Sequence, residues 1–368
     1  MVAGTVVDVD LTREAREVLG DAPVDVEELA HAKRMSVTAQ VCRVRAPHGT
    51  AVVKVISSGV DGGAWAGSND PRHPWFWRRE PSLYEEGIPA AYVDAGLETP
   101  ALLGRFERRA AVALWLEDLA GQAGSEWDAA EYRVAARRLG WAQGPYLTGQ
   151  AEPSSRPWSH HFLVDYLKTW DDVGWEHLDR EDAWDAPLIR EHFSSQLRGD
   201  LIRLCADRHR MIGWTEQLSQ TICHHDVWPR NVFAFDGHTT LIDWAFAGHG
   251  HVGADVGNLV TDSCGDLLHP AAMLPELDAA ARTGYEEGLR DAGWRGDLRQ
   301  ARLGMCVMAA RWSWLVPHML RQATEEQHHV YGSAPVDSQH LFAERAEMLR
   351  YYTVLGTEAR SLASELGL

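Results

Sequence analysis

The chain has 368 residues, of which 45% are hydrophobic and 24% charged, a composition that excludes a long disordered chain and supplies core for two or three domains or lobes without staples. Lysine and arginine total 35 against 53 aspartates and glutamates, and the net charge of −18 repels nucleic acid and anionic membrane. Five scattered cysteines without a Cys-x-x-Cys pair speak against a disulfide framework or structural zinc and for a reducing compartment.

No apolar run reaches the roughly 20 residues that span a bilayer; the best stretch, 302–318, is interrupted by Arg311. The acidic N-terminus shows neither the basic nor the apolar region of a signal peptide, so a soluble, cytoplasmic protein is expected. Residues 10–20 carry helical spacing, with Asp10 or Thr12 as cap and Gly20 as stop. Gln40–Ala46 alternates, Pro47-His48-Gly49 turns and Thr50–Ser57 is rich in β-branched residues, which together predict a hairpin. A loop rich in Gly, Asp and Pro covers 58–75, helical spacing resumes near Phe76, and Ala111–Leu116 reads as a buried strand. Asp128 and Glu131 form a capping box opening a helix that Gly144-Pro145 should end. Helical spacing recurs at 188–210, 271–292, 298–323 and 340–366; between them, two short strands, Val232–Phe235 and Thr240–Trp244, flank Asp236-Gly237. Strands early and helices late predict an α+β chain in two lobes.

The chemistry concentrates in Thr221–Leu259. A strand ends at Cys223, a loop carries Asp226 with Asn231 five residues later, and Asp243 sits at the end of the following hairpin. Two carboxylates and an amide on adjacent loops are hard oxygen ligands of the kind Mg²⁺ prefers, and Asn231 with Asp243 is the natural pair. Asp226 would then remain to face a hydroxyl nucleophile.

His224-x-Asp226-x-x-x-x-Asn231 followed by Leu241-Ile242-Asp243-Trp244 resembles the catalytic and metal-binding loops of the aminoglycoside phosphotransferase family, small-molecule kinases with a bilobal protein-kinase-like fold. Upstream, Val53-Lys54-Val55 resembles the strand lysine that grips ATP phosphates, Arg79-Glu80 the start of the ion-pairing helix, and Leu114–Leu119 (LWLEDL) the hinge. Downstream, Gly253-x-Asp255 with Leu259 resembles the segment that braces the catalytic loop. The resemblance implies a strand-rich, nucleotide-binding N-lobe over residues 1–115, a hinge at 116–120, and a helical C-lobe over 121–368 holding the metal and the acceptor. It implies that Lys54 contacts phosphates and is held by Glu80, with Glu85 and Glu86 as competing partners. The hinge backbone around Leu116, Glu117 and Leu119 would hold the adenine, Asn231 and Asp243 the Mg²⁺, and Asp226 would orient the attacking hydroxyl.

The chain departs from the family in places. Met35–Gln40 has no glycine where a Gly-rich phosphate loop is expected, so Ser36, Thr38 and backbone N–H groups are the candidate phosphate contacts, and the donor stays open between ATP and GTP. Arg230 stands where the family often has glycine; it could offset transition-state charge or form a structural ion pair. Only twelve residues separate Asp243 from Asp255, too few for a protein-kinase activation segment, which speaks against a protein substrate. Asp262, Asp266 and Trp228 are the candidate acceptor contacts. Trp312 and Trp314, two apart on a predicted helix, should not both face the cleft. The expected activity is Mg²⁺-dependent phosphorylation of a hydroxylated small molecule, most readily an antibiotic, by a monomer or dimer without nucleic acid or membrane partners. The alternatives are a metabolic kinase for a sugar, choline-like alcohol or nucleoside, and a catalytically silent nucleotide-binding pseudokinase.

Overall fold

The computed structural model describes residues 4–31, 37–58, 63–152, 157–330 and 335–368. Its N-terminal part is an antiparallel sheet of five strands in the order Asp25–Glu28, Thr38–Ala46, Gly49–Ser57, Ala111–Glu117 and Leu102–Arg108. The helix Gly4–Leu19 covers one face: Leu11 and Ala15 pack on Val44, Val53, Val55 and Trp115. Gly20, at φ +81°, ends that helix. The helix starts before Asp10 and Thr12, so neither residue caps it, and Asp10 pairs instead with Arg13 at 3.2 Å. Side chains alternate across a strand, so Lys54, between Val53 and Val55, faces the other side, the one that Ile56 and Leu114 share with Trp77. Both faces of the strand Gly49–Ser57 are covered, which is why it reads as a β-branched run.

The expected hairpin forms over Thr38–Ala46 and Gly49–Ser57. The edge strands Asp25–Glu28 and Leu102–Arg108 were not legible, because exposed, charged strands carry no apolar alternation. A second sheet joins Leu97–Glu98, His238–Leu241, Val232–Phe235 and Gln122–Ala123. Its central turn is Asp236 (φ +45°) and Gly237 (φ +79°), a two-residue connection that pairs His238 with Phe235 and places the second strand two residues earlier than expected.

Helices make up most of the remainder. Asp128 and Glu131 form the capping box of Ala129–Leu147, and that helix runs past Gly144-Pro145. A proline in the final turn forfeits only its own N–H bond, and Thr148 N–H still closes on the Gly144 carbonyl at 3.0 Å. The helix packs against Leu274–Asp291 closely enough that a Cβ on Gly284 or Gly288 would collide with the carbonyl oxygen of Arg133 or Arg137. The predicted helix at 188–210 is two, Pro187–His192 and Ser195–Trp214, because the Ser194 hydroxyl caps the second at Leu197 N–H (3.2 Å). The predicted helix at 298–323 also breaks, into Leu298–Arg311, a 3₁₀ turn Trp312–Trp314, and Leu315–Gln322. The last helix, Ser338–Leu366, packs on Leu298–Arg311 and Ser195–Trp214. Among the described residues no helix is long and apolar enough to cross a membrane.

Candidate active site

The strand Gln220–Cys223 pairs antiparallel with Gly248–His251 and delivers His224-His225-Asp226 to the interior. Asp255, buried at the start of the helix Ala254–Thr261, holds this turn: its carboxylate accepts from His224 N–H (2.9 Å), His225 N–H (2.8 Å) and Gln143 Nε2 (2.9 Å). Burial raises Asp255 to about 6, opposed by those same donors. His225 sits at φ +67°, a conformation that a non-glycine residue keeps only when its surroundings impose it. The imposing contacts are the Asp255 carboxylate and the His225 Nε2 bond to His249 O at 2.9 Å. Burial lowers His224 to about 4 and His225 to about 3, so both rings are neutral.

Past the turn, His224 Nδ1 accepts from Asp226 N–H at 3.2 Å. The Asn231 amide nitrogen donates to the Asp226 carboxylate (2.7 Å) and carbonyl (3.0 Å), which leaves its Oδ1 as the oxygen that can face a cation. The chain then crosses the hairpin, and Ile242 N–H returns to Asn231 O at 3.0 Å, bringing Asp243 beside the loop it left. Asp243 lies at φ +61°, the bend that takes it out of the strand.

Lys54 closes the arrangement from the sheet. Its ammonium lies 2.6 Å from Glu80 and 2.7 Å from Asp243. Of the three glutamates considered, Glu80 is therefore the partner, while Glu85 approaches Arg105. Burial opposes the charge on Lys54, but the Asp243 and Glu80 carboxylates outweigh it and raise its pKa. Burial also disfavours charge on Asp243, which the ammonium more than offsets, so this carboxyl is held below its ordinary value. Glu80, buried, is lifted by that burial to about 7 in spite of Lys54. Asp226 is pushed up to about 8 by burial and by the Asp243 carboxylate, against the pull of Arg311.

One cavity of about 440 Å³ collects Lys54, Thr38, Asp226, Trp228, Asn231, Asp243, Asp262 and Asp266. Leu116, Glu117, Leu119 and Arg230 are not among its lining residues. Glu117 N–H bonds Ala101 O at 2.9 Å, and the Arg230 guanidinium lies 5.8 Å from the Trp228 ring. Ser36 lies outside the described residues. Trp312 and Trp314 both line the cavity, against expectation. The helix tightens there into a 3₁₀ turn, and at about 120° per residue positions two apart diverge by about 120° instead of about 160°. Their rings come within 5.4 Å at an interplanar angle of 24°.

Two contributors were missed. Gln143 joins Asp255 to Tyr285, whose hydroxyl donates to its Oε1 at 2.5 Å; its only sequence signal is a polar side chain on the apolar face of a helix. Arg311, noted only as a break in an apolar run, lines the cavity, pairs with Asp262 at 3.0 Å and lies over the Tyr166 ring at 4.4 Å.

The order of these pieces has a counterpart among known proteins: residues 36–296 match the model of the phosphotransferase enzyme family, APH. The chain belongs to that family. This phosphotransferase is thus a small-molecule kinase with a mixed α+β fold of two lobes. A comparison of the sequence with curated proteins finds no match. Among solved structures, an amicoumacin kinase, hAmiN, in complex with AMP-PNP, Ca²⁺ and amicoumacin is similar at TM-score 0.53 and 11% identity, over 94% of this chain and 93% of that one. A thermostable mutant of aminoglycoside phosphotransferase APH(4)-Ia with ADP and hygromycin B aligns at TM-score 0.47 and 13% identity, over 94% and 99%. An aminoglycoside-3'-phosphotransferase of type VIII aligns at 0.46 and 18%, over 83% and 98%. The likeness to hAmiN, at 11% identity, concerns the fold alone.

Proposed function

We propose that this phosphotransferase moves the γ-phosphoryl group of ATP or GTP to a hydroxyl of a small molecule, an antibiotic that the added charge and bulk inactivate. The observation that carries the reading is the Lys54 ammonium held between Glu80 (2.6 Å) and Asp243 (2.7 Å) in the cavity that Asp226 also lines. Phosphoryl transfer needs positioning and charge neutralisation more than covalent help, and this arrangement offers both. Lys54 and Thr38 are assigned to the phosphates, with Glu80 as the residue that positions Lys54. Asp243 and the Asn231 Oδ1 form a hard-oxygen pair suited to Mg²⁺, and a bound Mg²⁺ would supply charge neutralisation between the phosphates. The acceptor oxygen bonds to the γ-phosphorus, the bond to the bridging oxygen of the leaving diphosphate breaks, and Asp226 orients the hydroxyl and takes its proton. Arg230 is assigned to offset charge beside this loop. The hinge backbone around Leu116, Glu117 and Leu119 is assigned to the adenine; since the Glu117 N–H is committed to Ala101, the donor to the adenine ring is another hinge N–H. The division into N-lobe 1–115, hinge 116–120 and C-lobe 121–368 belongs to the same proposal.

The test is mass spectrometry of antibiotics of several classes, sugars, nucleosides and choline, each incubated with protein, Mg²⁺ and ATP or GTP beside an Asp226→Ala control. One antibiotic gaining a single phosphoryl group only with Asp226 intact is the expected result. Equal gain with the variant would remove Asp226 from the chemistry. Gain on a sugar, nucleoside or choline alone would make the protein a metabolic kinase.

A further inference from the structure

The walls of the cavity and their charge carry information about the acceptor beyond the presence of a reactive hydroxyl. Eight aromatic residues line it: Trp65, Phe162, Tyr166, Trp170, Trp228, Phe246, Trp312 and Trp314. Three form a continuous ladder, Trp170 stacked on Trp314 at 3.8 Å and 3°, and Trp314 against Trp312. The Trp312 indole N–H donates to Asp262 at 2.6 Å, which fixes the ladder at one end.

The carboxylates that could receive an amine-rich acceptor are already engaged. Asp262, buried, takes Arg311 at 3.0 Å as well as the Trp312 N–H. Asp266 lies within electrostatic reach of Arg345, another buried guanidinium of the lining. His318, also in the lining, is kept neutral by burial. Among the described lining residues, setting aside the Lys54–Asp243 pair, three acids stand against two arginines: Asp262 is paired with Arg311, Asp266 is within electrostatic reach of Arg345, and the balance is one carboxyl in surplus. An acceptor with several ammonium groups would lose hydration here without gaining matching carboxylates, a costly exchange in a secluded site. The cation–π position over Tyr166 is likewise filled from within, by Arg311 at 4.4 Å.

We infer that the acceptor is a hydroxylated molecule carrying at most one positive charge, which packs an apolar or aromatic face against the aromatic wall that the mutually stacked Trp170, Trp314 and Trp312 hold in place. The inference rests on the phosphotransferase reading of this cavity and gives the chemical class of its acceptor. It predicts affinity that depends on ring stacking and apolar area and hardly on salt, whereas recognition of a polycation by carboxylates weakens as salt rises.

The test is a titration of the full chain, with Mg²⁺ and AMP-PNP present, with erythromycin and uridine as apolar-faced probes and kanamycin as the polycationic one, at low and high salt. Binding is followed by tryptophan fluorescence and calorimetry. At least one apolar-faced probe is expected to bind tenfold or more tighter than kanamycin, with little change on adding salt. Trp314→Ala should weaken that probe about tenfold, about 1.4 kcal/mol, while Trp314→Phe, which keeps a ring, should restore most of the loss. Circular dichroism and AMP-PNP binding establish that both variants fold. The inference is overturned if kanamycin binds tightest, if neither apolar-faced probe binds, or if folded Trp314→Ala binds like the parent. Phosphoryl transfer from ATP is measured separately. Stacking-dependent binding with no transfer would fail the proposed function alone, and transfer to kanamycin would fail this inference alone.

Discussion

Lys54 shows how much a single residue depends on its register. A lysine in an alternating strand ordinarily faces water; here it is buried because helix Arg79–Glu86 and the Asp243 bend supply two carboxylates. Breaking one side of such a buried set leaves an uncompensated charge. Glu80→Gln keeps the shape and the hydrogen bond but drops the charge, so Lys54 should be held less firmly and the KM for nucleotide should rise about tenfold with the fold intact, as steady-state kinetics would read. Asp226→Ala should lower kcat about a hundredfold or more while nucleotide affinity changes little, as expected for a group that handles the acceptor proton. Isothermal titration with AMP-PNP beside turnover assays separates the two. Asp226, Asn231, Asp243 and Lys54, singled out through the family resemblance and their order in the chain, do come together around one cavity. Glu80 was the expected partner of Lys54 with Glu85 and Glu86 left as competitors, because Pro81 follows Glu80, and the observed helix start puts the Glu80 side chain beneath Lys54.

Elements are joined by contacts that no local pattern reveals. Arg302, buried, donates to Asp278 (2.7 and 2.8 Å) and to Glu358 (2.6 and 2.8 Å), tying together helices Leu274–Asp291, Leu298–Arg311 and Ser338–Leu366. Arg302→Met would strand the buried Asp278 and should cost about 3–5 kcal/mol of unfolding free energy, measurable by urea denaturation. Gly288 is a second such point. A methyl group there meets the Arg137 backbone, so Gly288→Ala should destabilise by about 1–3 kcal/mol even though alanine is the better helix former. In the sheet, Glu14 of the first helix is fully buried and accepts from the Trp115 indole (2.9 Å) and from Arg108 (2.9 Å), so a residue that reads as surface in the sequence is an anchor in the fold.

Across the whole molecule, burial produces a pH dependence. His225 and His251 are lowered by burial to about 3 and about 4, against an ordinary value of 6.5. Between about pH 6.5 and pH 4 the unfolded chain takes up protons that these folded rings refuse, so their contribution is present above 6.5 and is lost as pH falls. Each such group contributes up to about 1.4 kcal/mol per pH unit in that window. Asp255, raised to about 6, works in the opposite direction, because the folded state binds its proton first. The difference between the parent and a His251→Gln variant isolates one ring: unfolding free energies at pH 7 and pH 5 should show the variant losing about 1–2 kcal/mol less than the parent. An equal loss in both would mean that His251 does not remain neutral in the fold.

Hydrophobic periodicity by itself determined the order of strands and helices, and the resemblance of short, ordered motifs to the aminoglycoside phosphotransferase family pointed to the class of the protein and to a candidate reactive set. The Asp128–Glu131 cap is set by residues three apart, and Asp226, Asn231 and Asp243 stood out as candidates because they share one loop and the hairpin that follows it. Only the tertiary structure decided that Glu80 meets Lys54, that Gln143 reaches Asp255, that Arg311 neutralises Asp262, and that Trp312 and Trp314 face the cavity together. Each of these joins residues whose meeting depends on helix starts, a helix-to-3₁₀ break, or contacts between segments far apart in the chain. The physical reason is that pairing a buried charge, or filling a wall with indoles, is settled by burial, and burial is a property of the folded whole rather than of any stretch of chain.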